Sequence, residues 1–138
     1  EEVLIPFGRA RILCEGSDVV LISYGSSIAE TTQAVVALEQ QGFSATLIDL
    51  RSLLPWDRDT VLNEVARVGR VVLVSEAPRH LNFVSEVAAV ISEEILDSLL
   101  APPFRVTGFD TPFPYAQERT YLPGRNRILK AVQKSLDY

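Results

Sequence analysis

Short runs of aliphatic residues recur along this chain, and most are followed by a longer stretch with apolar residues at helical spacing. Residues 19–24 and 71–74 are apolar almost throughout, which is typical of strands buried on both faces of a sheet. Because such a sheet needs helices on both sides, this alternation restricts the chain to a layered α/β fold.

The pattern predicts five strands, at residues 10–14, 19–24, 43–50, 71–74 and 104–109. Helices are predicted between the later strands and after the last one, so those strands pair in parallel through right-handed crossovers. Only the turn residues 15–18 separate the first two strands, which predicts a hairpin. The expected fold is a three-layer α/β/α domain with a five-stranded, mostly parallel sheet whose first strand is antiparallel.

Polar residues at the predicted helix starts indicate how the helices are capped. Ser26 or Ser27 can cap the first helix, and Glu30 stands three residues after Ser27, as in a capping box. Asp57 and Asp59 offer caps for the second helix.

Charge and composition exclude several classes of function. The net charge is -5, which disfavours nucleic-acid and anionic-membrane partners because both need a basic surface. No apolar stretch approaches the roughly 20 residues of a membrane-spanning helix. Cys14 is the one cysteine, so no intrachain disulfide can form. Glu1 and Glu2 stand where a secretory leader has basic residues, so no signal peptide is expected.

Ligands of open α/β sheets gather at the carboxyl ends of the strands, and two segments there carry polar groups. The Gly25–Ser27 turn could offer backbone N–H groups to an anion, but it lacks the glycine motifs of nucleotide-binding proteins and is interpreted as a plain strand-to-helix turn. Residues 75–80 contain a serine, an acid, an arginine and the only histidine.

The 75–80 segment makes a poor hydrolase, since no serine has the flanking glycines of a nucleophile elbow. We expect Glu76 to pair with Arg79 or with an arginine elsewhere. A metal site is not expected, because His80 and Cys14 are the only residues of their types and lie far apart.

Residues 110–115 form an unusual loop with two prolines and two aromatic residues, Phe113 and Tyr115. Aromatic groups in a loop are rarely left exposed unless something packs on them. Two interpretations stay open: the loop folds back onto its own domain, or it forms an interface with a partner.

Four segments together resemble a known family. They are IPFGRARILCEGSDVVLISYG at 5–25, IDLRSLLPWD at 48–57, GRVVLVSEAPR at 69–79 and VTGFDTPFPYAQERTYLPGRNRI at 106–128. In this order and spacing the chain resembles the transketolase C-terminal type of domain in the beta subunit of 2-oxoacid dehydrogenases, most closely the branched-chain (2-oxoisovalerate) enzymes. Pyruvate and acetoin dehydrogenases are the alternatives within the family.

The resemblance implies that residues 1–138 are one domain from a longer beta subunit, which also accounts for the abrupt start at EEVLIPFG. In that family the missing N-terminal half and the alpha subunit hold thiamine diphosphate with Mg²⁺. No catalytic, cofactor-binding or metal-binding residue is expected in this domain. The cellular location would be the cytoplasm for a bacterial protein and the mitochondrial matrix for a eukaryotic one.

The resemblance also implies protein partners, namely the alpha subunit, a second beta subunit and the peripheral subunit-binding domain of the dihydrolipoyl acyltransferase. Candidate partner-binding residues are Asp110, Phe113, Tyr115, Asp137 and Tyr138. Glu76, Arg79 and His80 are expected in a subunit-interface loop.

That interface loop departs from the family pattern. Where the family usually has threonine and two glycines before phenylalanine, this chain has Arg79, His80, Leu81 and Asn82 before Phe83. Without glycines the loop loses easy access to positive φ. Two further functions stay open: a free-standing module for a small anion or nucleotide at Gly25–Ser27, and a small hydrolase that uses Ser75 or His80.

Overall fold

The computed structural model describes residues 4–138; the interpretation of Glu1 and Glu2 falls outside them. The strands are β1 (Arg11–Cys14), β2 (Val19–Ser23), β3 (Ala45–Asp49), β4 (Val71–Val74) and β5 (Phe104–Val106). The α-helices are α1 (Ser27–Gln40), α2 (Arg58–Val68), α3 (Phe83–Glu94), α4 (Glu118–Tyr121) and α5 (Arg125–Leu136). Single 3₁₀ turns lie at Leu96–Ser98 and Tyr115–Gln117.

The five strands form one sheet in the order β1-β3-β2-β4-β5. β2 pairs in parallel with both β3 and β4, and β4 pairs in parallel with β5. β1 runs antiparallel at the edge. The predicted fold, a five-stranded and mostly parallel sheet with its first strand antiparallel, is confirmed.

The predicted hairpin is wrong in its pairing. β1 pairs with β3 and not with β2, in a register that includes Ile12↔Ile48. The alternating pattern of β1, whose residues are exposed and half-buried in turn, suits an edge strand, whereas β2 is buried at every position and needs parallel strands on both sides. Asp18 fixes the start of β2, because its carboxylate accepts hydrogen bonds from the Ser44 amide at 2.6 Å and the Ser44 hydroxyl at 3.0 Å.

Helices cover both faces of the sheet and enclose two apolar clusters. One cluster joins α1 and α5 to Leu21, Leu47 and Val72. The other joins α2 and α3 to Ile22 and Leu73. Each large side chain that is fully buried in such a cluster stabilises the fold by roughly 1.5–3 kcal/mol. Because successive side chains of a strand point to opposite faces of the sheet, neighbouring residues of β2 and β4 hold opposite helical layers to it.

The predicted cap of α2 is confirmed, and it also holds the chain before β1. Asp57 accepts hydrogen bonds from the Thr60 amide at 3.3 Å and the Ala10 amide at 3.0 Å. Burial raises the pKa of this carboxyl, but the hydrogen bonds outweigh burial and hold the pKa below its ordinary value. One side chain therefore satisfies a helix N-terminus and anchors the segment that leads into β1.

The predicted capping box of α1 is wrong. Ser26 occupies the cap position without a side-chain capping bond, and the Ser27 hydroxyl is buried with no hydrogen-bond partner among residues 4–138. Glu30 instead accepts a hydrogen bond from the Arg125 amide at 3.0 Å. Its carboxylate therefore stabilises the N-terminus of α5 rather than that of its own helix.

Four of the five predicted strands are longer than the observed ones, most of all the third and the fifth. β3 begins at Ala45 and β5 ends at Val106, although residues 43–50 and 104–109 were predicted. The sequence pattern also missed the short helix α4. No helix among residues 4–138 has the length and apolar character that crossing a membrane requires.

Val72 tests the central position of β4. It is fully buried and pairs with Leu21 on one side and Phe104 on the other. We expect Val72→Asp to lower the free energy of unfolding by about 3–5 kcal/mol, because it buries an unpaired charge. Val36→Asp on the exposed side of α1 is the control. Similar urea midpoints for the two variants would contradict the central placement of β4.

Candidate functional site

The carboxyl ends of β2, β4 and β5 form one polar edge of the sheet, here called the carboxyl edge. Tyr24 and Ser75 directly follow the neighbouring strands β2 and β4, and their hydroxyl oxygens lie 2.9 Å apart. Ser75 is fully buried and also accepts a hydrogen bond from the Ala77 amide at 3.3 Å. The pair fastens the ends of two parallel strands to each other.

Ser75 and His80, the residues of the hydrolase hypothesis, are not brought together. The hydroxyl of Ser75 is engaged by Tyr24. The imidazole of His80 points instead to Asp110, with Nδ1 2.5 Å from Oδ2, and is 84% exposed. A nucleophile needs its base within hydrogen-bond reach, so this geometry does not support hydrolysis at Ser75.

Carboxylates surround the start of α1, where an anion was considered. The Ser26 hydroxyl donates to the Glu76 carboxylate. Ser26, Ser27, Glu30 and Glu76 line the same hollow. Two carboxylates repel a phosphate from this helix N-terminus, and Glu76 itself supplies the negative charge that the N-terminus favours. The turn is therefore a poor site for a nucleotide.

The predicted ion pair of Glu76, with Arg79 or with an arginine elsewhere, is absent from the described residues. Glu76 is engaged by Ser26, while Arg79 donates to the Arg105 carbonyl oxygen at 3.4 Å. The reason is local: the two side chains leave the loop toward different neighbours, α1 and β5. Within residues 4–138 there is also no cluster of three or more residues of the types that hold a metal ion.

The loop after β4 adopts a positive φ despite its lack of glycine. Leu81 has φ 54° and a fully exposed side chain. Such a conformation costs of order 1–3 kcal/mol for a residue that is not glycine. Asn82 offsets part of that cost, because its amide group donates to the Ala77 and Pro78 carbonyl oxygens and its side-chain oxygen caps α3 through the Val84 amide.

The 110–115 loop folds back onto its domain at one aromatic residue and leaves another outside. The ring of Phe113 lies 5.1 Å from that of Tyr121 and 5.5 Å from that of Tyr115, both edge to face. Tyr115 is nevertheless 89% exposed. Each of the two sequence interpretations thus has a residue in its favour, Phe113 for the internal contact and Tyr115 for a partner.

Gly108 lets the ring of Tyr121 lie directly against the carboxyl edge of the sheet. A Cβ atom at this position would lie 2.6 Å from the Glu76 carbonyl oxygen and 2.7 Å from the Tyr121 ring. Phe113 of the loop, Glu76 and Tyr121 border an open hollow of about 520 Å³. Its lining residues are Ser26, Glu76, Pro78, Phe113, Glu118, Tyr121 and Leu122. Acidic and aromatic groups together favour a polypeptide contact over a phosphate.

Sequence reasoning missed Arg127, which holds the chain on both sides of the loop. Its guanidinium donates to the carbonyl oxygens of Thr107 at 2.6 Å and of Tyr121 and Leu122 at 3.2 Å. It also lies 4.5 Å from the centre of the Phe109 ring. Burial lowers the pKa of Arg127. No sequence signal links this arginine to Thr107.

The candidate partner-binding residues fall at two separate places. Asp110, Phe113 and Tyr115 lie at the carboxyl edge. Asp137 and Tyr138 follow α5 at the opposite, amino edge, where Arg70, just before β4, donates to the Ser135 carbonyl oxygen at 3.0 Å. Asp137 accepts a hydrogen bond from the Gln133 side chain at 2.6 Å, and Tyr138 is 76% exposed.

Comparison with known proteins gives a consistent result. Residues 8–128 match the family described as "Transketolase, C-terminal domain". The chain is 39% identical over its whole length to 2-oxoisovalerate dehydrogenase subunit beta 2, mitochondrial, of Arabidopsis thaliana, and 42% identical over 97% of its length to the mitochondrial beta subunit of Dictyostelium discoideum. Pyruvate dehydrogenase E1 component subunit beta of Staphylococcus epidermidis is 39% identical over the whole chain.

The chain covers only 38%, 36% and 43% of those three relatives. Among solved structures, an inactive beta4 tetramer of a split-gene transketolase superposes with a TM-score of 0.85 and 31% identity, over 99% of this chain and 44% of that one. The relatives are beta subunits of 2-oxoacid dehydrogenases, and the similarity extends over the entire chain.

Asp110 gives a pH-dependent test of the loop. The hydrogen bond from the His80 amide, at 2.9 Å, and that from the His80 side chain hold the pKa of this carboxyl below its ordinary value. The contact therefore contributes stability above the unfolded-state pKa of about 3.9, and that contribution is lost as the pH falls through the lower folded-state value.

We expect Asp110→Asn to lower the unfolding midpoint slightly at pH 7 and to match the unsubstituted chain at a pH below the folded-state pKa. Unfolding by urea at several pH values measures this. Glu15→Gln, at an exposed carboxyl between β1 and β2, is the control. A difference that persists at the lowest pH would show that the His80–Asp110 contact is not the cause.

Proposed function

The chain belongs to the transketolase C-terminal domain family, and from that premise we propose that it is the non-catalytic assembly domain of a branched-chain 2-oxoacid dehydrogenase beta subunit. In the complete enzyme this domain would pack against the alpha subunit and a second beta subunit and bind the acyltransferase. The reaction, oxidative decarboxylation of a 2-oxo acid and transfer of the acyl group to a lipoyl group, would belong to the whole assembly.

One observation carries this proposal: beta subunits of 2-oxoacid dehydrogenases match the chain from end to end at about 40% identity, yet are more than twice as long. Similarity of that extent supports a shared role for the domain. The remaining length of the relatives leaves room for the catalytic half.

The residues at the carboxyl edge do not fit thiamine diphosphate with Mg²⁺. A diphosphate needs cations, a metal ion or backbone N–H groups around it. The N-terminus of α1 faces Glu30 and Glu76 instead. We infer that other parts of the enzyme hold the cofactor. The same two carboxylates argue against a free-standing nucleotide-binding module.

The end of α5 supports a basic partner. Asp137 places a negative charge after the last turn of α5, where the helix dipole is already negative. A cationic partner would relieve that repulsion. We therefore propose that the basic subunit-binding domain of the acyltransferase docks at Asp137 and Tyr138.

Pyruvate is the second candidate substrate. A pyruvate dehydrogenase subunit and one of the 2-oxoisovalerate dehydrogenase subunits have the same sequence identity to this chain. The PWD and DTPFP segments favour the branched-chain enzymes. Turnover of 2-oxoisovalerate and pyruvate by the complete beta subunit, assembled with its alpha partner, would distinguish the two.

The domain by itself is expected to be inactive. The purified 138-residue chain should not decarboxylate 2-oxoisovalerate or pyruvate when thiamine diphosphate and Mg²⁺ are added, because its strand ends repel a diphosphate. Reduction of an artificial electron acceptor measures turnover, and the complete alpha–beta assembly is the positive control. Turnover by the chain alone that rises with added thiamine diphosphate would refute the proposed division of labour.

Removal of Asp137 and Tyr138 tests the docking site. We expect this deletion, made in the complete beta subunit assembled with its alpha partner, to weaken acyltransferase binding about tenfold or more while sparing decarboxylation with an artificial acceptor. Close charge pairs at interfaces are worth roughly 1.5–7 kcal/mol, and tenfold corresponds to about 1.4 kcal/mol. Titration calorimetry at low and high salt measures the loss, which should shrink as salt rises.

Tyr115→Ala at the carboxyl edge is the matched control, since it removes an exposed aromatic group far from the terminus. Its binding should equal that of the unsubstituted enzyme. If Tyr115→Ala weakens binding and the deletion does not, the acyltransferase docks on the 110–115 loop and the terminal proposal is wrong.

A further inference from the structure

Five cations line a single groove along the β5 edge of the sheet. Arg79 and Arg105 contribute from the sheet side, and Arg127, Lys130 and Lys134 from α5. The groove, here called the basic groove, has a volume of about 550 Å³ and no acidic residue in its lining. The chain as a whole is acidic, with 13 lysines and arginines against 18 acids, so this concentration of positive charge is local.

The groove cations are not neutralised within the described residues. None of the five takes part in a salt bridge among residues 4–138. Arg105 donates to the Ser85 hydroxyl, and Arg79 and Arg127 donate to backbone carbonyl oxygens. These partners are all neutral, so the positive charge of the groove remains available to an anion.

β5 is an edge strand, and guanidinium groups occupy outward carbonyl oxygens in it and just after it. Arg79 donates to the Arg105 carbonyl oxygen at 3.4 Å, and Arg127 donates to that of Thr107 at 2.6 Å. An added strand would have to displace both guanidinium groups. The groove is therefore suited to side-chain contacts with a partner rather than to extension of the sheet.

An apolar hollow of about 310 Å³ adjoins the basic groove, because Pro102 and Pro103 line both. Leu96, Leu99, Leu100 and Tyr138 also line it, and Leu96, Leu100 and Tyr138 are exposed. Cationic and apolar surfaces thus meet at one pair of prolines. A free phosphate would use only the first, whereas an acidic polypeptide with an apolar residue would use both.

We propose that the basic groove and the adjoining hollow form a docking surface for an acidic polypeptide segment that carries an apolar anchor. The carboxylates of the segment lie against Lys130, Lys134 and Arg127, and its anchor fills the hollow beside Leu100. The inference does not depend on the proposed function. It concerns a partner of opposite charge to the one proposed for the Asp137 carboxylate, and the two surfaces share Tyr138.

A fluorescent octapeptide of six glutamates and two leucines, titrated into the full 138-residue chain, tests the surface. We expect saturable binding that weakens with added salt. Lys130→Glu with Lys134→Glu should raise Kd about tenfold or more, since both lysines are exposed and the substitutions reverse their charge. Lys130→Gln with Lys134→Gln should give an intermediate Kd and guards against misfolding. Replacing the leucines of the peptide with serine should also weaken binding.

Arg11→Glu with Arg119→Glu is the matched control, because it makes the same charge change at exposed positions outside the groove. It should leave Kd within about twofold of the unsubstituted value. Three results would overturn the proposal: an equal loss in the control pair, no loss in the Lys130 and Lys134 pair, or displacement of the peptide by inorganic tripolyphosphate or duplex DNA at concentrations below the peptide's own Kd.

Discussion

Burial of β2 and β4 on both faces is the constraint on which the remaining structure depends. Every residue of Val19–Ser23 and Val71–Val74 is buried, so their backbone groups must be paired within the protein. Each of the two strands therefore has a neighbour on either side, which leaves the edges to β1 and β5. Helices must close both faces, and the polar groups are left to the two ends of the strands.

That arrangement leaves the polar groups at the carboxyl edge bonded to one another. The strand ends at the carboxyl edge are tied together by Tyr24 with Ser75 and by Ser26 with Glu76. Tyr121 packs against Gly108 so closely that no side chain fits there. These polar groups are engaged within the domain, whereas the side chains of Tyr115 and Leu81 around them are exposed and accessible to another protein.

The parts of the fold that depend on local pattern could be predicted, and those that depend on distant neighbours could not. Val71–Val74 was evident as a buried strand and Asp57 as a helix cap. The pairing of β1 with β3 was missed, because alternation along a strand does not identify its neighbour. Glu30 lies 95 positions from Arg125 along the sequence, so its role at α5 left no local signal. The basic groove left no local signal either, because Arg79 and Arg105 meet α5 only after the sheet forms.

The helix α5 spans the domain from one edge of the sheet to the other. Its first turn is fixed to Glu30, and its last turn to Arg70. A helix of its 12 residues is about 18 Å long and bends little at that length. It therefore acts as a rigid spacer: two polypeptides bound at its opposite ends would be held at a fixed separation, each at a high local concentration for the other.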